Sequence, residues 1–331
     1  MPDVVVVGAS GYAGAIAAAI VWRHPHFELT AITAREDAGR RLSDLYPHHR
    51  VPLELESFDP DRAGEADAAI VAYPHGTAAP AVAALLERGV RVLDLSADFR
   101  LRDVATYEHW YVPHPHPELI ARAVYGLTEL YREAIAGAEL VACPGCFPTA
   151  AILALAPLAS AGLIADVVID AKTGVSGAGK KPTDTTHFVS VDENVRPYGV
   201  GGHRHMPEID QELGALGAPV PVVFTPHLVP LDQGELLSCY VTPTERVSQE
   251  ALETLYAQRY GDEPFIELVS RPPGVRDVRE TNICAINVHA DERTGKLFVF
   301  AAIDNLWKGT ASQAVANLNV MFGCDERAGL R

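Results

Sequence analysis

Two short runs hold residue types that do covalent chemistry: Cys143-Pro144-Gly145-Cys146-Phe147-Pro148-Thr149 and His203-Arg204-His205-Met206-Pro207-Glu208-Ile209. Three readings compete for the cysteine pair: a redox disulfide, half of a zinc site, or one nucleophile. Zinc wants a second pair of Cys or His ligands at suitable spacing, and no other C-x-x-C occurs. A thioredoxin-type motif belongs near the start of a small domain of its own kind. The third reading needs Cys146 alone. Pro148 and the apolar run Ala150 to Ala159 put Cys146 at or just before a helix start. A helix N-terminus stabilises a thiolate, so Cys146 is the candidate nucleophile, against the alternative of an inert buried thiol. Cys143 then needs no chemistry.

A thiolate nucleophile is served by an acid/base partner. Residues two apart in an extended segment face opposite ways, so one of His203 and His205 reaches the thiol. His205 is favoured, because a helix start with Pro207 in its first turn follows it directly; His203 is then structural or a substrate contact. Another His-rich stretch, His109 to His116, is interrupted by Pro113 and Pro115, with Glu118 as its nearest carboxylate at ligand spacing. It reads as a loop, and no metal is expected.

Gly8-Ala9-Ser10-Gly11-Tyr12-Ala13-Gly14 has the form G-x-x-G-x-x-G between a strand pattern and a helix pattern. Glycines there let the backbone turn sharply and approach a pyrophosphate, which meets the N–H groups of the helix start. Gly8, Ser10, Gly11, Tyr12 and Ala13 are the candidate cofactor contacts. The second strand ends Thr33-Ala34-Arg35. Arg35 pairs with a ribose 2′-phosphate where an NAD site carries a carboxylate, which favours NADP although Glu36 and Asp37 follow. Gly174 to Lys181 nearly matches a phosphate loop but ends in Lys181, without the hydroxyl that holds Mg²⁺. It reads instead as a flexible loop near the nicotinamide, with Ser176 and Gly177 as contacts.

These groups need two domains to hold them, as the length of 331 residues also suggests. Val4 to Val7, Leu29 to Thr33, Ala68 to Ala72 and Val90 to Leu95 read as strands, with helices at Ala15 to Trp22 and about 78–88. Alternation of this kind predicts an α/β, Rossmann-type, doubly wound parallel sheet. Val167 to Ala171, Val220 to Thr225, Leu236 to Thr242, Ile283 to His289 and Leu297 to Ile303 also read as strands, with fewer helices between. They predict an α+β second domain with a mixed or antiparallel sheet. The division is 1–145 for the nucleotide domain and 146–307 for the second, with an Ala-rich helix inside 308–331 packing back on the first.

A formal charge of −16 excludes a sequence-independent grip on nucleic acid, which needs a basic face. A small anionic substrate is compatible with it, held by local Arg. No apolar run reaches the roughly 18 residues of a membrane span, and the first residues lack a secretion signal. Five cysteines scattered over the chain are no disulfide framework. A cytoplasmic location follows as the expectation.

With these motifs in order, the chain resembles the N-acetyl-γ-glutamyl-phosphate reductase family of arginine biosynthesis, within the aspartate-semialdehyde dehydrogenase-like group. The resemblance runs through Gly8 to Gly14, Leu95-Ser96-Ala97-Asp98-Phe99-Arg100, Pro144 to Ala150, Gly174 to Gly179 and Gly202 to His205. It continues through Phe224-Thr225-Pro226-His227-Leu228-Val229-Pro230 and Asp304-Asn305-Leu306-Trp307-Lys308-Gly309. It implies an NADPH-dependent reduction of an acyl phosphate through a Cys146 thioester, with a His of the 203/205 pair moving the proton. Arg100 becomes a clamp for the anionic substrate, with Arg204 and Glu208 as further substrate contacts. Asn305 becomes a contact to the nicotinamide amide, and the chain a homo-oligomer, dimer or tetramer, through its second domain. Two positions depart from the pattern. The family often has Asn at the place of Cys143, and commonly reads Pro-x-x-Arg-Gly where this chain has Pro230-Leu231-Asp232-Gln233-Gly234, losing a positive charge. Two alternatives are a lysine-pathway paralogue acting on an aminoadipyl phosphate, which usually lacks a Pro at the place of Pro144, and a catalytically silent NADP-binding sensor.

Overall fold

The computed structural model describes residues 1–330. The chain divides into two compact units, residues 1–145 with 310–331 and residues 146–309. The first holds seven strands: β1 (Asp3–Val7), β2 (Glu28–Thr33), β3 (Leu55–Glu56), β4 (Ala68–Val71), β5 (Arg91–Asp94), β6 (Ala123–Tyr125) and β7 (Leu140–Ala142). They form one sheet in the order β3-β2-β1-β4-β5-β7-β6, and every pairing is parallel. Such a sheet is covered on both faces, so its strands need no polar alternation. Val4 to Val7 and Ala68 to Val71 are accordingly buried without a break.

The last helix, Ser312–Met321, belongs to this unit and is buried along its whole length. Polar groups seat it. Arg91 Nη1 donates to Met321 O at 2.6 Å, Asn317 Nδ2 to Gly126 O at 2.8 Å, and Gln313 Nε2 to the same carbonyl at 3.1 Å.

The second unit holds β8 (Ile164–Thr173), β9 (Arg196–Pro197), β10 (Val222–Leu228), β11 (Glu235–Pro243), β12 (Ile266–Leu268), β13 (Cys284–Ala290) and β14 (Leu297–Ile303). Their order is β12-β13-β14-β11-β8-β10-β9. β8 pairs with β10 in parallel and with β11 antiparallel, which makes the sheet mixed. The fold class is therefore a parallel nucleotide-type sheet in one unit and a mixed sheet in the other, as the strand patterns predict.

Helix Cys146–Ser160 lies buried in the second unit from Phe147 to Ala159. Pro157 inside it has no N–H, so the carbonyl of Leu153 loses its helical partner. The Tyr260 hydroxyl donates to Leu153 O at 2.7 Å, and the Tyr256 hydroxyl donates to Ala154 O at 2.5 Å. The buried Tyr260 hydroxyl thus replaces the lost donor, and the buried Tyr256 hydroxyl adds a bond one residue further on. Among the described residues no helix is long and apolar enough to cross a membrane.

Candidate active site

In the first unit the glycine loop divides its work among three positions. Gly8 has φ +90°, and a Cβ there would lie 2.9 Å from Ala72 O. Gly14 admits no side chain either, since its Cβ would lie 2.4 Å from Gly8 O. Gly11 is different: a Cβ there meets nothing closer than 3.8 Å, so the surface beside it is open to a ligand. Gly11 is also the cap of helix Tyr12–Trp22, with no side chain covering the free N–H groups of the first turn and no acidic residue in it. The sequence pattern starts this helix at Ala15; the structure starts it at Tyr12. Glycine suppresses a helical reading, yet Gly11 ends in extended geometry (φ −82°, ψ 164°) and the turn begins directly after it. The N–H groups of Tyr12 and Ala13 therefore belong to an anion-binding helix start.

The loop is tied to the end of β2, because Gly8 N and Ala9 N both donate to Thr33 O, at 3.1 and 2.8 Å. Beyond that strand end opens a cleft of about 780 Å³ lined by Ala34, Arg35, Phe58, Tyr73, Gly76 and Thr77 among others. Arg35 is exposed at it, its guanidinium 4.6 Å from the centre of the Tyr73 ring. Loop and cleft fit a dinucleotide.

Arg100 does not stand open as a substrate clamp. It is 5% exposed, and its guanidinium donates to Cys143 O at 2.6 Å and Leu95 O at 2.8 Å. Neighbouring Asp98 accepts from Gly76 N, Ala79 N and the Tyr107 hydroxyl. Burial and the nearby Asp98 charge push Asp94 up to about 7, against two Ser96 hydrogen bonds and the Arg100 charge. The motif Leu95 to Arg100 is thus a buried brace following the C-terminal end of β5, and its arginine serves main-chain carbonyls. The His-rich stretch is a loop only from Tyr111 onward, since His109 lies in the last turn of helix Val104–Trp110. Among the described residues no group of three His, Cys, Asp or Glu is arranged to hold a metal ion.

In the second unit Cys146 is the first residue of its helix and only partly buried. Gly309 lies against it: a Cβ at 309 would sit 2.7 Å from Cys146 Cβ and 3.3 Å from Ile303 Cδ1. The next residue, Phe147, carries both histidines, with ring centres 5.6 Å away for His203 and 5.8 Å for His205. The expectation that the two rings face opposite ways is wrong. Residues 199–205 form turns instead of an extended strand, and the rings stand 4.9 Å apart. The His205 N–H donates to His203 Nδ1 at 3.2 Å. An N–H can only donate, so Nδ1 of neutral His203 is the bare nitrogen and its proton sits on Nε2. Burial, with help from the Arg204 charge, lowers His203 to about 4.

Arg204 is exposed beside the pair, whereas Glu208 is 2% exposed and lies inside the first helical turn. Glu208 is therefore packed into the unit. Asn305 also differs from expectation. Its Oδ1 accepts from Gly234 N at 2.7 Å, its Nδ2 donates to Ser176 Oγ at 3.1 Å, and the residue is 1% exposed. It bridges the start of β11 to the turn Val175–Ala178, where Ser176 is buried and Gly177 exposed.

Two groups escaped the sequence reading. Glu235, the first residue of β11, is fully buried, and burial pushes its carboxyl up to about 8. Tyr198 packs 5.5 Å from His203, and burial with the nearby Cys146 and Glu235 raises its hydroxyl far above the usual range. A Glu in an alternating strand reads as a solvent-facing residue, so no local signal marks Glu235.

Residues 3–138 match the semialdehyde dehydrogenase NAD binding domain, and residues 146–305 the semialdehyde dehydrogenase dimerisation domain. Over its full length the chain is 48% identical to the N-acetyl-γ-glutamyl-phosphate reductase of Desulforudis audaxviator, covering 98% of that protein. It belongs to that reductase family. The family's member from Moorella thermoacetica is also 48% identical, over 98% of this chain and 96% of that protein, and the one from Halorhodospira halophila 47%, over 100% and 98%. Solved structures confirm the fold at lower identity. Aspartate semialdehyde dehydrogenase II of Vibrio cholerae, in complex with ASA, superposes with a TM-score of 0.76 over 98% of both chains at 20% identity. The enzyme of Candida albicans with NADP gives 0.69 at 16%, over 97% and 98%. The first unit is accordingly an NAD(P)-binding domain.

Proposed function

We propose that the chain reduces N-acetyl-γ-glutamyl phosphate to N-acetylglutamate semialdehyde, with NADPH as reductant and Cys146 as the covalent nucleophile. The observation that carries this reading is Cys146 itself, at a helix start, partly exposed, with two histidines on the adjacent Phe147. The named relatives supply the substrate. NADP over NAD rests on the exposed Arg35 at the cleft.

His205 takes the thiol proton. His203 is the poorer base, because its lowered pKa disfavours the imidazolium and its Nε2 already carries a proton. The Cys146 thiolate attacks the acyl carbon, and the C–O bond to phosphate breaks, leaving a thioester and inorganic phosphate. A nicotinamide nucleotide held by the first unit would supply the hydride for the thioester carbon. The hemithioacetal alkoxide that results re-forms the carbonyl as the C–S bond breaks, releasing the aldehyde and the Cys146 thiolate, to which protonated His205 returns the proton. His203 Nε2–H is a donor suited to the oxygen on which charge develops. Exposed Arg204, between the two histidines in sequence, is the candidate cation for an anionic substrate. Ser176 and Asn305 hold the turn and the β11 start in one arrangement around this chemistry. The protein works as a cytoplasmic homo-oligomer, the second unit matching a dimerisation domain.

The reverse reaction tests the proposal. Purified protein given N-acetylglutamate semialdehyde and NADP should reduce NADP only when inorganic phosphate is present. Phosphate-independent turnover would remove the acyl phosphate, and higher kcat/KM on the aminoadipate homologue would transfer the enzyme to that substrate.

A further inference from the structure

Glu235 stands where a buried carboxyl is hard to justify by packing. It occupies the first position of β11, a central strand of the mixed sheet, with Ile303 of β14 and Thr173 of β8 as its register partners. Ile303 in turn shares the contact at Gly309 with Cys146. Neither carboxyl oxygen has a hydrogen-bond partner of normal geometry. The groups that face it are the Cys146 thiol from the helix start, the Thr173 hydroxyl from β8, Tyr198 from the preceding loop and the Asp304 carboxyl after β14. None is a cation, and the position two residues before it is neutral Gln233. A buried carboxylate with no cation beside it, and only a thiol and a hydroxyl to oppose the cost of burial, is held as the neutral acid.

We propose that Glu235 is a positioning residue for Cys146: as the neutral acid it holds the sulfur by a hydrogen bond, and as the anion it suppresses the thiolate. The inference rests on Cys146 being the nucleophile. A carboxylic O–H donates to a thiolate, which stabilises the sulfur before attack and again when the C–S bond of the hemithioacetal breaks. A carboxylate in the same place is a like charge and favours the thiol. Since the Glu235 carboxyl loses its proton near pH 8, the active arrangement exists below that pH and fades above it. Glu235→Gln keeps the shape and a donor but cannot ionise.

The experiment is alkylation of Cys146 by iodoacetamide across the pH range, read by mapping the Cys146 peptide. It needs no substrate. Below about pH 7 wild type and Glu235→Gln should react at similar rates; above about pH 8 the variant should react about tenfold faster, a like charge being worth that much thiolate. Glu235→Met, an apolar replacement that removes the buried acid, should lose rate below pH 7 and also lack the alkaline suppression. A rate ratio that stays constant with pH in both variants would overturn the proposal. Stability alone does not decide it. The folded pKa lies above the ordinary 4.5, so burial makes stability fall as pH rises from about 4.5 to about 8 whether or not Glu235 touches the sulfur. If alkylation behaves as described but the phosphate-dependent assay fails, the proposed substrate falls and the positioning role stands.

Discussion

Cys143 and Cys146 lie three residues apart in one Pro-Gly run. Cys143 follows β7 in the first unit and is fully buried. Its N–H donates to Asp94 O at 2.8 Å, its carbonyl takes the Arg100 guanidinium, and the Asn317 amide reaches its sulfur at 3.6 Å. Burial pushes that thiol up to about 12, so it stays protonated. Cys146 opens a helix in the second unit and keeps solvent access. The helix start favours the anion at one thiol and apolar burial forbids it at the other. Reactivity here is a property of where a strand ends and a helix begins, and the C-x-x-C spacing carries no chemistry of its own.

The contrast is broken most directly by replacing each sulfur. Cys146→Ser should lower kcat by about 10⁴-fold or more, as loss of a covalent nucleophile does. Cys143→Ala should leave kcat within about twofold and cost about 1–2 kcal/mol of stability, the signature of a buried group removed from a packed site. Steady-state kinetics and urea unfolding read the two effects. Equal loss of activity in both variants would restore the paired-cysteine reading.

Glycines give a finer form of the same test. Gly309→Ala places a methyl 2.7 Å from Cys146 Cβ, so the nucleophile must shift. A displacement near 1 Å costs about 10²-fold in kcat. Gly126→Ala presses instead on Asn317 Nδ2 at 2.6 Å and Val141 Cγ1 at 2.7 Å, on the Cys143 side. It should cost about 1–3 kcal/mol of stability through overpacking while sparing kcat. Kinetic damage from Gly126→Ala that matches Gly309→Ala would mean that the two sides are not separable.

Legibility follows the same physical line. The doubly wound sheet is readable because Val4 to Val7 must be apolar on both faces, and the mixed sheet because five long strand patterns follow one another. β3 and β9, of two residues each, and β6, β7 and β12, of three, are too short to show a period. The glycine pattern marks a turn but hides the helix that starts at Tyr12. The histidines are visible as residue types, yet their common face depends on turns at Gly199 (φ +57°) and Gly201 (φ +70°) that alternation cannot foresee. Glu235 was out of reach altogether, since its burial is made by β8, β14 and the Cys146 helix, all distant in sequence.

The mildest test moves the contrast to two arginines of the first unit. Arg100 is buried on main-chain carbonyls, whereas Arg35 is exposed over Tyr73 at the cleft. An exposed guanidinium that meets a ligand phosphate contributes to affinity without supporting the fold. Arg35→Ala should therefore raise KM for NADPH about tenfold, about the effect of one charge-assisted hydrogen bond. KM for NADH, kcat and Tm should stay where they were. Arg100→Ala should do the reverse, lowering Tm because Cys143 O and Leu95 O lose their donor, with both nucleotides affected alike. If Arg35→Ala weakens NADPH and NADH equally, the cation is not reading the 2′-phosphate, and the preference must come from other groups around the cleft.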